Sequence, residues 1–370
     1  MRSETVTLTG DSAGTQRSLT CFRFGQPGAA PKVYLQAGLH ADEMPGILIL
    51  QHLLPLLESL ATNQIRGEII VVPMANPIGL SQWLQHKPLG RQDTESMQNF
   101  NRNYPDLAAL VGDDLEPLLT DDPAENQTII RTAFAHALAA SDAKTDLDEQ
   151  RLTLLKWSYD ADYVLDLHCD HHAILHLYAA PARPADTSLL CQSIGARLAL
   201  IEEISGGNAF DEAHTAPWAS LKRRYQNRFP IPDACFSTTL EYRGQFDVDD
   251  ATAATDAANL MTFLGAIHAI NPPQTPNFPD PPHLPLGGAI ETFAPQGGVV
   301  TWATKPGDSV TMGQTLGHVT DPVTRLRKPI TAPTDGLLFR QELWPSCLRG
   351  QGLAHVAGSE VLLAGHLLSD

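Results

Sequence analysis

An apolar run, Val33-Tyr34-Leu35-Gln36-Ala37, ends at Gly38, and a histidine and a glutamate three positions apart follow at once in Gly38-Leu39-His40-Ala41-Asp42-Glu43. Met44-Pro45-Gly46 then opens a long apolar run with helical spacing over 46–62. The pattern predicts a buried strand, a tight turn and a helix. Turns after strands of an open α/β sheet are where such folds place chemistry. Imidazole nitrogen and carboxylate oxygen are both ordinary Zn²⁺ ligands. A catalytic zinc site also needs a third ligand, a water and a base to work on that water. The turn therefore sets what the remaining chain must supply.

The other elements follow from periodicity. Residues 4–9 and 18–24 alternate apolar and polar and predict an edge hairpin. Gly67-Glu68-Ile69-Ile70-Val71-Val72-Pro73 is a β-branched buried strand ended by proline. Asn76-Pro77-Ile78-Gly79 signals a turn. The stretch 81–126 is long, polar and aperiodic, the kind of loop that carries function. Residues 126–158 predict helix, and 162–168 a strand ending in His168. A further strand is expected over 173–180. A helix is expected over 187–200, with Ile194 and Leu198 on one face. Residues 205–234 read as a second irregular stretch, 235–242 as a strand ending near Glu241, and 252–270 as an Ala- and Leu-rich helix. Strands alternating with helices predict a mixed, mostly parallel α/β sheet. The proline-rich stretch 271–286 reads as a linker. The glycine-punctuated remainder, 287–370, reads as a separate all-β module.

Composition narrows the partners. The charge is −17, from 25 Lys+Arg against 42 Asp+Glu, which argues against nucleic acid and anionic membrane surfaces. Met1-Arg2-Ser3-Glu4-Thr5-Val6 lacks the apolar core of a signal peptide, and no run approaches a membrane span. Five scattered cysteines, Cys21, Cys169, Cys191, Cys235 and Cys347, read as reduced thiols of a cytoplasmic protein. Oligomeric state stays open, a homo-oligomer included.

The third metal ligand is expected at His168. Residues two apart on a strand share a face, so Asp166 points with His168 and is placed to take the imidazole's other N–H. Glu241, at another strand end, is the candidate base for the activated water. Arg91 and Arg102 lie in the long loop between the ligand groups. One can stabilise an oxyanion and the other can fork onto a substrate carboxylate. Taken singly, each has an ordinary reading: a surface-loop histidine, a strand-end histidine, a solvated carboxylate, a structural ion pair. His171, His172 and His176 compete with His168. A serine hydrolase is excluded because no Gly-x-Ser-x-Gly follows a strand. Ser205-Gly206-Gly207-Asn208 lacks both the P-loop lysine and the dinucleotide spacing. Cys169 neighbours His168 on the strand and so points to the opposite face.

These pieces together resemble the succinylglutamate desuccinylase/aspartoacylase family, which belongs with the funnelin-type zinc carboxypeptidases. The resemblance covers 1–270. It rests on Gly38-Leu39-His40-Ala41-Asp42-Glu43, Asn101-Arg102, Asp166-Leu167-His168 and Thr239-Leu240-Glu241, in the family's order. Ala41 stands where the family usually has glycine, and the loop between Arg91 and Asn101 is longer than in aspartoacylases. The resemblance implies a zinc-carboxypeptidase-like α/β/α sandwich around a mixed sheet. It implies one Zn²⁺ per chain on His40, Glu43 and His168, with Glu241 as base and Arg91 at the oxyanion. Asn101 and Arg102 would bind the carboxylate of a small-molecule substrate. The reaction implied is hydrolysis of the amide bond of an N-acyl amino acid or related compound.

The C-terminal module resembles the barrel-sandwich fold of biotinyl and lipoyl carriers, through Gly297-Gly298-Val299-Val300, Lys305-Pro306-Gly307-Asp308 and Ile330-Thr331-Ala332-Pro333. Arg325 stands at the position those carriers modify on lysine, so the module reads as structural: a wall, a lid or an oligomer contact. Two other functions use or lose the same centre. A metallocarboxypeptidase acting on peptide C-termini shares it, and a degenerate binding protein would have abandoned it. The long loops and the β module would narrow the cleft and favour a small substrate.

Overall fold

A computed structural model of the chain describes residues 1–370 apart from 11, 113, 227, 366 and 368–370. β1 (Arg2–Thr7) and β2 (Ser18–Phe24) form the expected antiparallel hairpin. β3 (Lys32–Ala37), α1 (Met44–Glu58), β4 (Glu68–Val72) and α2 (Pro77–Leu80) follow. The polar stretch beyond holds a small hairpin, β5 (Trp83–Leu84) with β6 (Lys87–Pro88), and a short helix, α3 (Leu107–Leu110). Next come α4 (Pro123–Ala140), α5 (Asp146–Ser158), β7 (Tyr163–Asp170), β8 (His172–Ala173) and β9 (His176–Ala179). α6 (Pro184–Ile194), β10 (Ala199–Ile201), α7 (Glu212–Tyr225), β11 (Phe236–Gly244), α8 (Asp250–Ala266) and β12 (His283–Pro285) complete this part.

Among the described residues, nine strands form one sheet in the order β1-β2-β4-β3-β7-β11-β9-β10-β12. β4, β3, β7 and β11 run parallel. β9 runs against β11, and β10 and β12 follow the direction of β9. Both faces of the central strands are covered, so β3, β4, β7 and β11 are buried almost throughout, whereas the edge strand β1 is exposed. On one face Tyr34, Ile70 and Val164 pack against α4, α5 and α7. On the other, Val33, Leu35, Ile69, Val71, Leu165 and Leu167 pack against α1, α6 and α8. This is the expected α/β/α sandwich. The chain leaves β3 for β4 on one side and later returns to β7 on the other, which opens the kind of crevice where such sheets bind ligands.

Several elements depart from the sequence reading. The helix expected over 126–158 is two helices, because Thr145 accepts a hydrogen bond from Asp148 N–H at 3.1 Å and caps a new start. The helix expected over 187–200 stops at Ile194. Gly195 adopts φ +75°, a left-handed C-terminal cap, and Leu198 approaches β10 instead of sharing a helix face with Ile194. The irregular stretch 205–234 contains α7. Pro217 argues against helix there, but Ala213, Pro217, Leu221 and Tyr225 recur every fourth residue and are all buried. That apolar stripe outweighs the lost backbone hydrogen bond. Within the proline-rich stretch, residues 283–285 join the sheet as its edge strand.

The remaining strands are β13 (Ala289–Phe293), β14 (Gly298–Trp302), β15 (Ser309–Val310), β16 (Thr315–Thr320), β17 (Arg327–Thr331), β18 (Gly336–Gln341), β19 (Ser346–Cys347) and β20 (Gly352–Ala357). They form two small antiparallel sheets around a core of Val300, Leu316, Val319, Ile330, Leu338, Leu353 and Val356. β18 pairs with β8, and Phe339 packs with Ile174, Leu198 and Leu200. The module thus sits on the same side of the large sheet as the reactive residues.

Candidate active site

The turn after β3 is fixed before any ligand is considered. Gly38 takes φ +70°, which lets the chain leave the buried strand sharply; a Cβ there would lie 2.8 Å from Ile47 Cδ1. Asn76 donates to Leu39 O at 2.8 Å from a fully buried position, and Ala41 N–H donates to Gly90 O at 3.0 Å. Glu43 N–H closes the turn on His40 O. His40 and Glu43 are each only 5% exposed.

His168 arrives from β7, in the strand next to β3, and is 2% exposed. Its Nδ1 lies 2.8 Å from Glu43 Oε2, and His40 Nδ1 lies 2.9 Å from Glu43 Oε1. The ligand atoms of the three residues fall within 4.8 Å of one another. The outer ring nitrogens are also engaged. Asn99 Oδ1 accepts Asn101 N–H at 2.8 Å, so it is an acceptor, and His40 Nε2–H donates to it at 2.9 Å. That leaves His40 Nδ1 with its lone pair inward. His168 Nε2 lies 3.0 Å from Asp166 Oδ2, while Asp166 Oδ1 accepts from Gln36 Nε2 at 3.0 Å. With both Nε2 atoms turned to acceptors, two Nδ1 atoms and a carboxylate converge on one point. The donor set, with its outer ring nitrogens directed at acceptors, fits a three-ligand metal site. Burial works against the Glu43 carboxylate, but the two imidazoles outweigh it and hold it well below the usual carboxylate range.

Glu241 faces this point. It pairs with His168 across β7–β11 and with His176 across β11–β9. A bulge follows at once, with Arg243 at φ +64° and the register shifting before Gly244. Such bulges re-aim side chains next to active sites. Glu241 Oε2 is buried without a hydrogen-bond partner. Burial, then the charges of Glu43 and Asp170, push its carboxyl well above the usual range. A cation at the three-ligand point would oppose that shift.

These residues line a cavity of about 730 Å³. Arg91, Asn101 and Arg102 line it too. Arg91 is exposed, and its charge reaches His40 and Glu241. Arg102 is 6% exposed and donates to Asn101 O at 2.7 Å. Asn101 is 5% exposed, and its Oδ1 accepts Phe210 N–H at 2.8 Å, so its amide nitrogen is the part left for a ligand. The competing histidines stand elsewhere. His171 contacts Glu342 at 3.3 Å, His172 is exposed, and His176 donates from Nδ1 to Ile174 O. Burial pushes the Cys169 thiol far up, so it stays protonated beside the site.

The profile described as the succinylglutamate desuccinylase/aspartoacylase catalytic domain matches residues 29–215, half of the chain. The chain belongs to that family. It is a family of hydrolytic deacylases, and the match spans the β3 turn, the long loop and His168. A family protein from Shewanella amazonensis is 25% identical with a TM-score of 0.85, over 96% of this chain and 98% of that one. A second from Shewanella frigidimarina is 24% identical, TM-score 0.84, over 96% of each. The product-bound ectoine utilization protein EutE (DoeB) from Ruegeria pomeroyi shares the fold at 17% identity and TM-score 0.64, over 96% and 94%. No functionally curated protein matches the sequence.

For this family member, several groups around the site escaped the sequence reading. Asn99 lies within the long polar stretch 81–126 but gave no sign of binding His40. Leu286, Glu291, Arg340 and His355 reach the cavity from the C-terminal module, and Arg340 Nε lies 2.9 Å from Asp170 Oδ1. Tyr178 stands opposite Thr239 and faces the cavity. Asp211 lies at the start of α7, its carboxyl pushed up to about 7 by burial and then by Glu212 and Asp166. Only the three-dimensional pairing of distant segments identifies them.

Proposed function

We propose that the chain is a zinc-dependent deacylase that hydrolyses the amide bond of a small N-acyl amino acid or related N-acylated compound. The observation that carries this is the convergence of His40 Nδ1, His168 Nδ1 and the Glu43 carboxylate within 4.8 Å, with both outer ring nitrogens turned to acceptors and Glu241 facing the same point. Zn²⁺ held there would supply Lewis acidity, lowering the pKa of water and polarising a carbonyl. Glu241 takes the proton of the attacking water on Oε2 and hands it to the leaving amine. Arg91, at the open side, faces the developing oxyanion. Arg102, with the Asn101 amide nitrogen, grips the substrate carboxylate and sets the scissile bond in place.

In this reading, 1–270 is the catalytic domain, 271–286 a linker and 287–370 a β module that walls the cavity and carries no prosthetic group. No helix among the described residues is long and apolar enough to cross a membrane. All five cysteines are unpaired and buried, which suits a cytoplasmic protein. A metallocarboxypeptidase would share the centre, so the test is a comparison. Zinc-loaded protein should hydrolyse N-acylated amino acids faster than short peptides with free C-termini. Faster release of C-terminal residues from peptides would overturn the deacylase reading.

A further inference from the structure

A second cavity of about 540 Å³ lies beside the first, and the two share Ala180, Glu203, Thr215 and Ser237. Its chemistry is different. The catalytic cavity is lined by carboxylates, imidazoles and guanidinium groups. The second is floored by Pro181, Ala182, Trp218, Ala219 and Phe236. α7 turns Thr215, Trp218, Ala219 and Lys222 toward it, the three- and four-residue spacing of one helix face. Trp218 is held by an edge contact with Phe134, ring centres 5.6 Å apart.

The charges on the rim are already matched. Lys222 pairs with Asp233 at 2.7 Å, Arg183 with Asp186 at 2.7 Å, and Arg223 with Glu203. No unmatched charge therefore calls for an ionic ligand. Of the four shared residues, Ala180, Thr215 and Ser237 are small, and the fourth, Glu203, is held by Arg223. Ser237 and Glu241 lie on the same face of β11, so the junction lies about 13 Å from the base, at about 3.3 Å per strand residue.

We infer that the second cavity receives an extended apolar acyl group of the substrate, whose amide lies at the metal centre and whose amino-acid carboxylate lies at Arg102. This deepens the deacylase reading and rests on it. An acetyl group would end within the first cavity; only a long-chain acyl group, one able to span the distance to the junction, would cross it and lie along Trp218 and Phe236. Each methylene buried against apolar walls strengthens binding roughly fourfold, so chain length becomes the determinant of specificity.

The test uses full-length zinc-loaded protein and N-acetyl, N-decanoyl and N-hexadecanoyl forms of one amino acid. Affinity is read by calorimetry on Glu241→Gln, which removes turnover, and kcat/KM on the native chain. Affinity should rise at least tenfold from decanoyl to hexadecanoyl, and Ala219→Trp in the same background should abolish the rise while leaving the acetyl compound within about twofold. Affinity that is flat with chain length, or that rises equally with Ala219→Trp, would overturn the inference. Absence of turnover for every compound, together with length-dependent binding, would instead strike at the deacylase reading alone. Should Ala219→Trp fold poorly, Ala182→Trp on the opposite wall carries the same expectation.

Discussion

The turn after β3 and the walls of the cavity are built in opposite ways. The turn is local: His40 and Glu43 come from one short segment, and Asn76 and Gly90 fasten its backbone. His168 and Glu241 add one residue each from adjoining parallel strands. The walls are assembled from α7, the β9–α6 connection and the C-terminal module, segments far apart in the chain. The converging histidines and carboxylates are thus held by the sheet, where positions are stiffly fixed, whereas the cavity walls come from peripheral pieces that can vary without disturbing them.

Changes in the turn and sheet should therefore cost metal or turnover, and changes in the walls should alter preference or stability alone. The largest effect is expected for His168→Ala. It should carry no zinc by elemental analysis and hydrolyse nothing above background; a full equivalent of zinc would move the site to the neighbouring histidines. Arg102→Ala should keep its zinc but lose about a hundredfold in kcat/KM, mainly through KM, from lost charge-assisted hydrogen bonds. A loss of equal size for substrates whose carboxylate is capped as an amide would remove Arg102 from carboxylate binding. Asp166→Asn should weaken zinc by about tenfold to a hundredfold, as outer-shell partners do, read by competition with a chromophoric chelator.

The smallest effect belongs to the wall. His214, on α7, is buried; its Nδ1–H donates to Phe210 O at 2.7 Å, and its Nε2 lies 2.8 Å from Ser158 Oγ. Burial lowers its pKa to about 4. Between about pH 6.5 and 4 the unfolded chain binds the proton and the fold does not, so stability falls as pH falls through this window. One such group contributes at most about 1.4 kcal/mol per pH unit. His214→Gln should flatten the dependence of the urea midpoint on pH over this range, with zinc content unchanged. An identical slope in both proteins would assign the acid sensitivity to other groups.

The same contrast explains what the sequence disclosed. Strand-end ligands are legible because a β-branched run, a glycine and a His-x-x-Glu sit next to one another, and because Asp166 and His168 share a face by simple alternation. Gly195 was a readable helix stop that the apolar spacing of Ile194 and Leu198 overrode. α7 carries Pro217 in its interior, and its buried stripe counts only once there is a sheet to bury it against. Asn99, Tyr178 and Arg340 carry no local signal, because their roles depend on partners that folding brings from distant segments.

The central claim is that the metal and the base are separate parts of one centre, and a single preparation of Glu241→Gln tests it. Zinc content and turnover of N-acyl amino acids are measured on the same sample. One zinc per chain is expected, with kcat reduced by about a thousandfold or more, in the range of a lost general base. Near-normal turnover, or zinc lost together with activity, would contradict it.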